Sequence, residues 1–273
     1  MCCFPLLSKF LNSLLFVTLL LLACDRLAAA EPPPENPAVE DELKQLNDQT
    51  IIQSRVFVDT EWDHFNHGAE KATWTLEGLW GWRASEWQDW AVGLSLPFVY
   101  DRLDEPSGHA DIGGIGDIEV GGGTAFRLNN TWRTGGRIVL HTDTASDPAI
   151  GDKVWGLKPF WAIAHDFTKW FTLSFSAEYN HSIAEQHNVA PQRHLDLSLP
   201  ATFLLPYDWS IFATYKTTID FENGDRWTHT VNAGVAKRLS NVPLVLSATL
   251  EKPLDGGAKE FQVNFTITYY FKK

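Results

Sequence analysis

Beyond about residue 50 the chain alternates apolar and polar residues with a period of two, in one segment after another. In the clearest run Trp90, Val92, Leu94, Leu96, Phe98 and Tyr100 share one face, while Asp89, Ala91, Gly93, Ser95 and Asp101 share the other. Side chains of an extended strand point alternately to opposite faces, so this spacing predicts β-strands with one apolar face. The split recurs with Trp74, Leu76, Trp80 and Trp82 against Thr73, Thr75, Glu77 and Arg83. It recurs with Phe171, Leu173, Phe175, Ala177 and Tyr179 against Thr172, Ser174, Ser176, Glu178 and Asn180. Near the end, Phe261, Val263, Phe265, Ile267, Tyr269 and Phe271 oppose Gln262, Asn264, Thr266 and Thr268. Further segments centre on Val58, Val120, Ile138, Trp161, Leu199, Ala213, Val231 and Leu246. Together they predict about twelve strands, each near the ~9–11 residues that cross a bilayer at a tilt.

The connections give the chain a direction. Short ones centre on Asn130, Lys169, Tyr207 and Asn241; longer or more flexible ones surround Glu105, Asp147, Gln186, Asn223 and Gly256. Parity fits three-residue turns between Leu128 and Trp132, Phe167 and Phe171, and Leu205 and Trp209. Outer-membrane barrels have short periplasmic turns and long outer loops, so both termini are expected on the periplasmic side. Pro159 and Pro200 fall inside expected strands, where a missing N–H calls for a bulge or a shifted boundary.

Alternation alone also fits a secreted soluble sandwich or barrel. The apolar faces, however, are nearly uncharged, and aromatics gather near their ends, as Trp74 with Trp82, Trp90 with Tyr100, and Phe261 with Phe271. Two aromatic girdles around an apolar band mark a barrel whose outer face meets lipid. The composition agrees, with 12 Trp, 17 Phe and 6 Tyr against a single Met. The fold class expected is therefore all-β, an antiparallel up-and-down transmembrane β-barrel over residues 51–273.

The first residues have a different character. Lys9, the apolar run Leu14–Leu22 and the small residues Ala28, Ala29 and Ala30 form the three parts of a secretory signal, expected over residues 1–30. All three cysteines, Cys2, Cys3 and Cys24, precede that cut, so the exported chain would hold no thiol. Leu21, Leu22, Ala23 and Cys24 also resemble a lipoprotein processing box, an alternative that keeps Cys24. Residues 31–50 are proline-rich and acidic, and are expected as a flexible, solvated periplasmic leader. The formal charge of −12 argues against a nucleic-acid partner, which calls for a basic face.

One strand carries a more specific pattern. The run Asp111, Ile112, Gly113, Gly114, Ile115, Gly116, Asp117, Ile118, Glu119 and Val120, then Gly121 and the Phe126, Arg127, Leu128 ending, resembles the G-x-G-D strand of a family of barrels. That family is the outer-membrane transporters labelled MetA-pathway of phenol degradation. The resemblance implies an outer-membrane channel for small solutes, with hydrophobic or aromatic compounds as the class, and supplies no catalytic residue. The last strand resembles the recognition signal of outer-membrane proteins through Tyr269 and Phe271, implying the barrel-assembly machinery as a partner; Lys272 and Lys273 depart from the pattern by following the aromatic.

With the apolar face outward, the lumen is expected to receive Glu77, Arg83, Asp117, Glu119, Arg127, Arg133, Arg137, His141, Lys158, Glu178, Asp196 and Lys216. A three-residue turn sets Arg137 opposite Gly123 and His141 opposite Glu119, close enough for pairing across the strands. One reading places the Arg137 head group over Gly121 and Gly123 as a constriction; the other has the lumen charges satisfy one another. No metal or other cofactor is expected, because neither His64 with His67 nor His181, His187 and His194 has zinc-ligand spacing. No enzyme is expected either. The sole echo of a hydrolase, Asn180-His181-Ser182, puts adjacent residues on opposite faces, and no G-x-S-x-G elbow occurs. The functions in view are passive solute passage, a closed structural or adhesive barrel and, least favoured, a lipid hydrolase.

Overall fold

The computed structural model describes residues 37–66, 69–105, 108–186, 189–239, 242–256 and 259–271; the expected signal segment 1–30 with all three cysteines lies outside them. A helix α1 (Pro37–Lys44) comes first, followed only by strands. They are β1 (Arg55–Phe65), β2 (Glu70–Ser85), β3 (Gln88–Glu105), β4 (Gly108–Ile115), β5 (Glu119–Arg127), β6 (Trp132–His141) and β7 (Val154–Thr168). The rest are β8 (Phe171–Glu185), β9 (Arg193–Leu205), β10 (Trp209–Asp220), β11 (Arg226–Arg238), β12 (Leu244–Pro253) and β13 (Lys259–Tyr270).

Each strand pairs antiparallel with its neighbours, and β1 pairs with β13 through Arg55↔Tyr270 and the residues beyond, which closes the sheet. Closure removes the free edge that lipid could not hydrate. Both β4 and β5 pair with β3, β5 along Gln88–Ser95 and β4 along Phe98–Glu105. They are two halves of one wall position, so the barrel has twelve positions, the number that the alternation predicts. The expected long connection at Glu105 is instead the tip of this β3–β4 hairpin, since 18-residue β3 runs well past what a bilayer needs.

The wall between β4 and β5 is interrupted at Gly116, Asp117 and Ile118. The β6–β7 connection, residues 142–153, fills the place beside β4 that another strand would take. Ser146 N donates to the Ile115 carbonyl at 2.8 Å, Thr142 N to the Ile118 carbonyl at 3.1 Å, and Ile118 N to Thr144 Oγ1 at 3.0 Å. These bonds take up the Ile115 and Ile118 carbonyls and the Ile118 N–H, which the break leaves without a ladder partner.

The turns follow the sequence closely at two of three places. Leu205 pairs with Trp209 across Pro206, Tyr207 and Asp208, the last two at positive φ (60° each). Leu128 N donates to the Trp132 carbonyl at 2.9 Å, with Asn129 Oδ1 accepting from Thr131 N and Trp132 N. At the third, Thr168 pairs directly with Phe171 after a register shift, which leaves Lys169 and Trp170 as the loop. Neither proline sits in a bulge. The β7–β8 ladder passes from Leu157↔His181 to Phe160↔Glu178, skipping Pro159 with the register kept, and β8–β9 likewise skips Pro200. Each strand drops the pairing on the proline's N–H side and keeps the ladder on the other.

Large apolar side chains cover the outside, among them Val92, Ile138, Trp161, Leu199, Leu250 and Phe265. At the turn end stand the exposed Trp80, Trp87, Trp132, Phe167, Trp209 and Phe271; towards the loop end stand Tyr100, Trp155, Phe221 and Trp227. These are the two girdles that aromatic rings with a polar tip form at membrane interfaces.

Candidate functional site: the occupied lumen

The leader, expected as a solvated tail, enters the barrel from the turn end from residue 37 onward. Pro37 opens α1, where its missing N–H is no loss, with Glu40 in the first turn and Lys44 in the last to complement the helix dipole. One helical turn separates Val39 from Leu43, and these face inward-pointing Leu204, Phe212, Ala236, Val245 and Tyr270, with Leu46 and Trp170 against the cluster. Leu43 has no exposed surface at all. Leader composition alone cannot form a core, but an apolar stripe needs only a complementary wall.

Polar contacts fix the rest. Arg238 Nε donates to Glu42 Oε2 at 2.5 Å, and Tyr270 Oη donates to the Glu42 carbonyl at 2.9 Å. Lys44, 2% exposed, lies 3.3 Å from Asp166, and Asn47 donates to Thr202 Oγ1 and accepts from Thr214 Oγ1 at 3.0 Å. Arg133 reaches Asp48 Oδ2 at 2.9 Å and Asp166 Oδ1 at 3.0 Å, joining leader and wall. Burial pushes the Asp41 carboxyl above its usual range, and the Arg133 charge partly offsets this. Farther along, Ser54 Oγ exchanges hydrogen bonds with the Gly81 backbone, and Ile52 packs so tightly there that a Cβ on Gly81 would lie 2.6 Å from its methyl.

Above the leader lies a cavity of about 170 Å³. Its floor includes Gln45, Gln49, Ile51 and Ile52; its walls include Glu77, Glu119, Arg137 and Phe160. An engineered cavity of ~150 Å³ holds a benzene-sized guest, so this space suits a small solute.

Most of the charged residues expected in the lumen are engaged with each other. Arg83 and Arg127 both reach Asp89, at 3.2 and 2.7 Å. Glu119 meets Lys158 at 2.5 Å, and Lys216 meets Asp196 at 3.2 Å. Glu119 does lie opposite His141, and Gly123 opposite Arg137. The Arg137 head group, however, turns away from the glycines, to Glu178 Oε2 at 3.0 Å and over the Phe160 ring at 4.6 Å. Gly123 serves the backbone instead: a Cβ there would meet Gly136 O at 2.6 Å and Arg137 Cβ at 2.7 Å. Asp117 is not a free lumen charge either. It sits in the wall break, its Oδ1 accepting from Thr144 N and Ala145 N at 2.9 Å each and its Oδ2 from Asp152 N at 2.6 Å.

The remaining candidates do not assemble into a reactive pair. His181 shares its face with Tyr179, 3.4 Å away, whereas Ser182 Oγ donates to Glu185 and accepts from Gln192 N on the other face. His64 packs against Trp62 and Phe261, while His67 and His187 lie outside the described residues.

No family model matches the chain, and no curated protein matches it. Among solved structures it is similar to an outer membrane channel from Pseudomonas putida F1, at 13% identity over 81% of this chain and 96% of that one, TM-score 0.69. NanC porin is similar at 11% identity over 80% of this chain and 100% of that one, TM-score 0.57. KdgM porin follows at 10% identity over 80% and 99%, TM-score 0.50. At these identities the likeness is one of fold, the closed antiparallel barrel of outer-membrane proteins.

Proposed function

We propose that the chain is an outer-membrane channel that passes small solutes by passive diffusion, with its own leader narrowing the periplasmic end. The observation that carries this reading is the inversion of the barrel: apolar and aromatic outside, with charged side chains such as Glu77, Glu119 and Arg137 inside, around a lumen that still holds a cavity of about 170 Å³. Such a surface is stable only against lipid, and selection then comes from pore width and lining charge. The solute class we propose is small and aromatic, because Ile51, Ile52 and Leu79 give the lining apolar contact beside the Arg137 guanidinium, which is shared with Glu178. A barrel in this orientation has β13 as its closing strand, with Tyr269 and Phe271 exposed for the assembly machinery.

Planar-bilayer conductance with liposome swelling tests the reading. The expected result is a small conductance, with faster swelling in benzoate than in a disaccharide. The closed structural barrel is favoured by the ion pairs that hold the leader in place. It becomes the better account if neither the full chain nor a chain lacking residues 37–50 conducts or swells.

A further inference from the structure

His141 stands at the edge of the wall break with its side chain 9% exposed. Its Nδ1 lies 3.1 Å from Glu119 Oε1. An ionised carboxylate only accepts, so Nδ1 carries the hydrogen, and a neutral ring then presents a lone pair at Nε2. That Nε2 is buried without a hydrogen-bond partner. It points between two further carboxylate oxygens, Asp117 Oδ2 at 3.6 Å and Asp152 Oδ2 at 3.4 Å. Lys158 compensates Glu119, but among the described residues no lysine or arginine is paired with Asp117 or Asp152. Two anions facing Nε2 call for a positive charge between them, a proton on the ring or a metal ion at its lone pair.

We propose that Asp117, His141 and Asp152 form a zinc site that fastens the 142–153 connection to the interrupted wall. The three ligand atoms lie within 4.8 Å of one another. Zinc bonds of ~2.0–2.1 Å in a tetrahedron separate ligands by about 3.4 Å, close to the two distances from Nε2. One imidazole with two carboxylates is a borderline donor set that suits zinc better than magnesium or calcium, which prefer oxygen throughout. Glu119 holds the ring in the ligating tautomer, as carboxylates behind metal-bound histidines do. Asp117 presents the second lone pair of Oδ2, whose first accepts from Asp152 N at 2.6 Å, while two backbone amides of the connection hold its Oδ1. Asp152 is the exposed ligand, so the fourth position opens to water on the loop side. Sequence spacing could not find this site, since its ligands come from a wall break, a strand end and a loop.

The inference does not depend on solute passage, and its test reads metal directly. The untagged full chain, folded in detergent and stripped with a chelator, is titrated with Zn²⁺ and, for its absorption, Co²⁺. Expected are one ion per chain at micromolar concentration and the visible bands of tetrahedral cobalt. Glu119→Gln should weaken binding by about 10- to 100-fold, and Asp152→Asn and His141→Ala by more, since each removes a ligand. Asp152→Asn keeps the size of an exposed side chain, so it reports even if His141→Ala fails to fold. Folding of each variant is read from heat-dependent gel mobility. A folded chain that binds no stoichiometric Zn²⁺, with His141 an imidazolium between the two aspartates, overturns the proposal. So does unchanged binding in Asp152→Asn.

Discussion

The turn end and the middle of the lumen are built from the same alternating strands, yet one is filled and the other is open. At the turn end the inward face itself turns apolar, with Leu204, Phe212, Val245 and Tyr270, and the leader's Val39 and Leu43 cover it. In the middle the inward face is mostly charged or without a side chain, with Glu77, Glu119, Arg137, Gly121 and Gly123 among a few apolar residues such as Leu79 and Phe160, and a cavity remains. The contrast follows from water. A lumen can hydrate charges and small residues at little cost, but an apolar patch of that size calls for a partner. The inward composition of a barrel therefore tells where something else must sit.

Removing residues 37–50 should have the largest effect, because it strips the cover from the apolar patch and opens the narrow end together. Single-channel conductance is expected to rise severalfold. An unchanged conductance would place the barrier elsewhere and break the contrast drawn above.

Arg133→Ala comes next. It leaves Asp48, 1% exposed, without its cation. Breaking a buried pair by removing one partner costs about 3–5 kcal/mol, here of leader docking. Lys44 is buried while the leader is docked, so trypsin cleavage there reads the undocked fraction. Cutting should accelerate at least about 100-fold, the equivalent of ~3 kcal/mol. A rate equal to wild type would show that the apolar cluster alone holds the leader.

Leu43→Ala probes that cluster. Burial without exposure puts the expected cost at about 2–5 kcal/mol, depending on how far α1 can settle into the gap. The same trypsin assay measures it, and Gly81→Val should add a smaller increase by displacing Ile52. If Leu43→Ala leaves cleavage unchanged, the patch is not what seats the helix.

The strands were legible because each buries one face, which forces a period of two, and the Glu119–His141 and Gly123–Arg137 registers followed from turn length. The leader was not legible from its own residues, whose proline and acid content reads as solvated. A signal lay in the wall instead. Near the turns the alternation fails, with adjacent apolar pairs at Phe203-Leu204, Ile211-Phe212, Leu244-Val245 and Tyr269-Tyr270. Each pair sends one side chain to the outward face and one to the leader, with Phe203 on the outward face packed beneath Trp170 and Phe171. The glycine-rich run of residues 111–128 reads as one continuous strand, although Asp117 makes more bonds to the 142–153 connection than a ladder position could. Nothing in local periodicity reports such a long-range partner.

Arg137→Ala is the smallest effect and the one that sharpens the contrast most. Its guanidinium is held by Glu178 and the Phe160 face, so removal widens the cavity and uncovers one carboxylate. With the leader in place, the narrower turn end still limits flow, so conductance should change little while selectivity shifts toward cations. In the chain lacking residues 37–50 the cavity becomes the narrowest part, and the same substitution should then raise conductance clearly. Two independent barriers in series predict this non-additivity, because each hides the other's effect. Equal effects in both backgrounds would mean that Arg137 and the leader do not share one path.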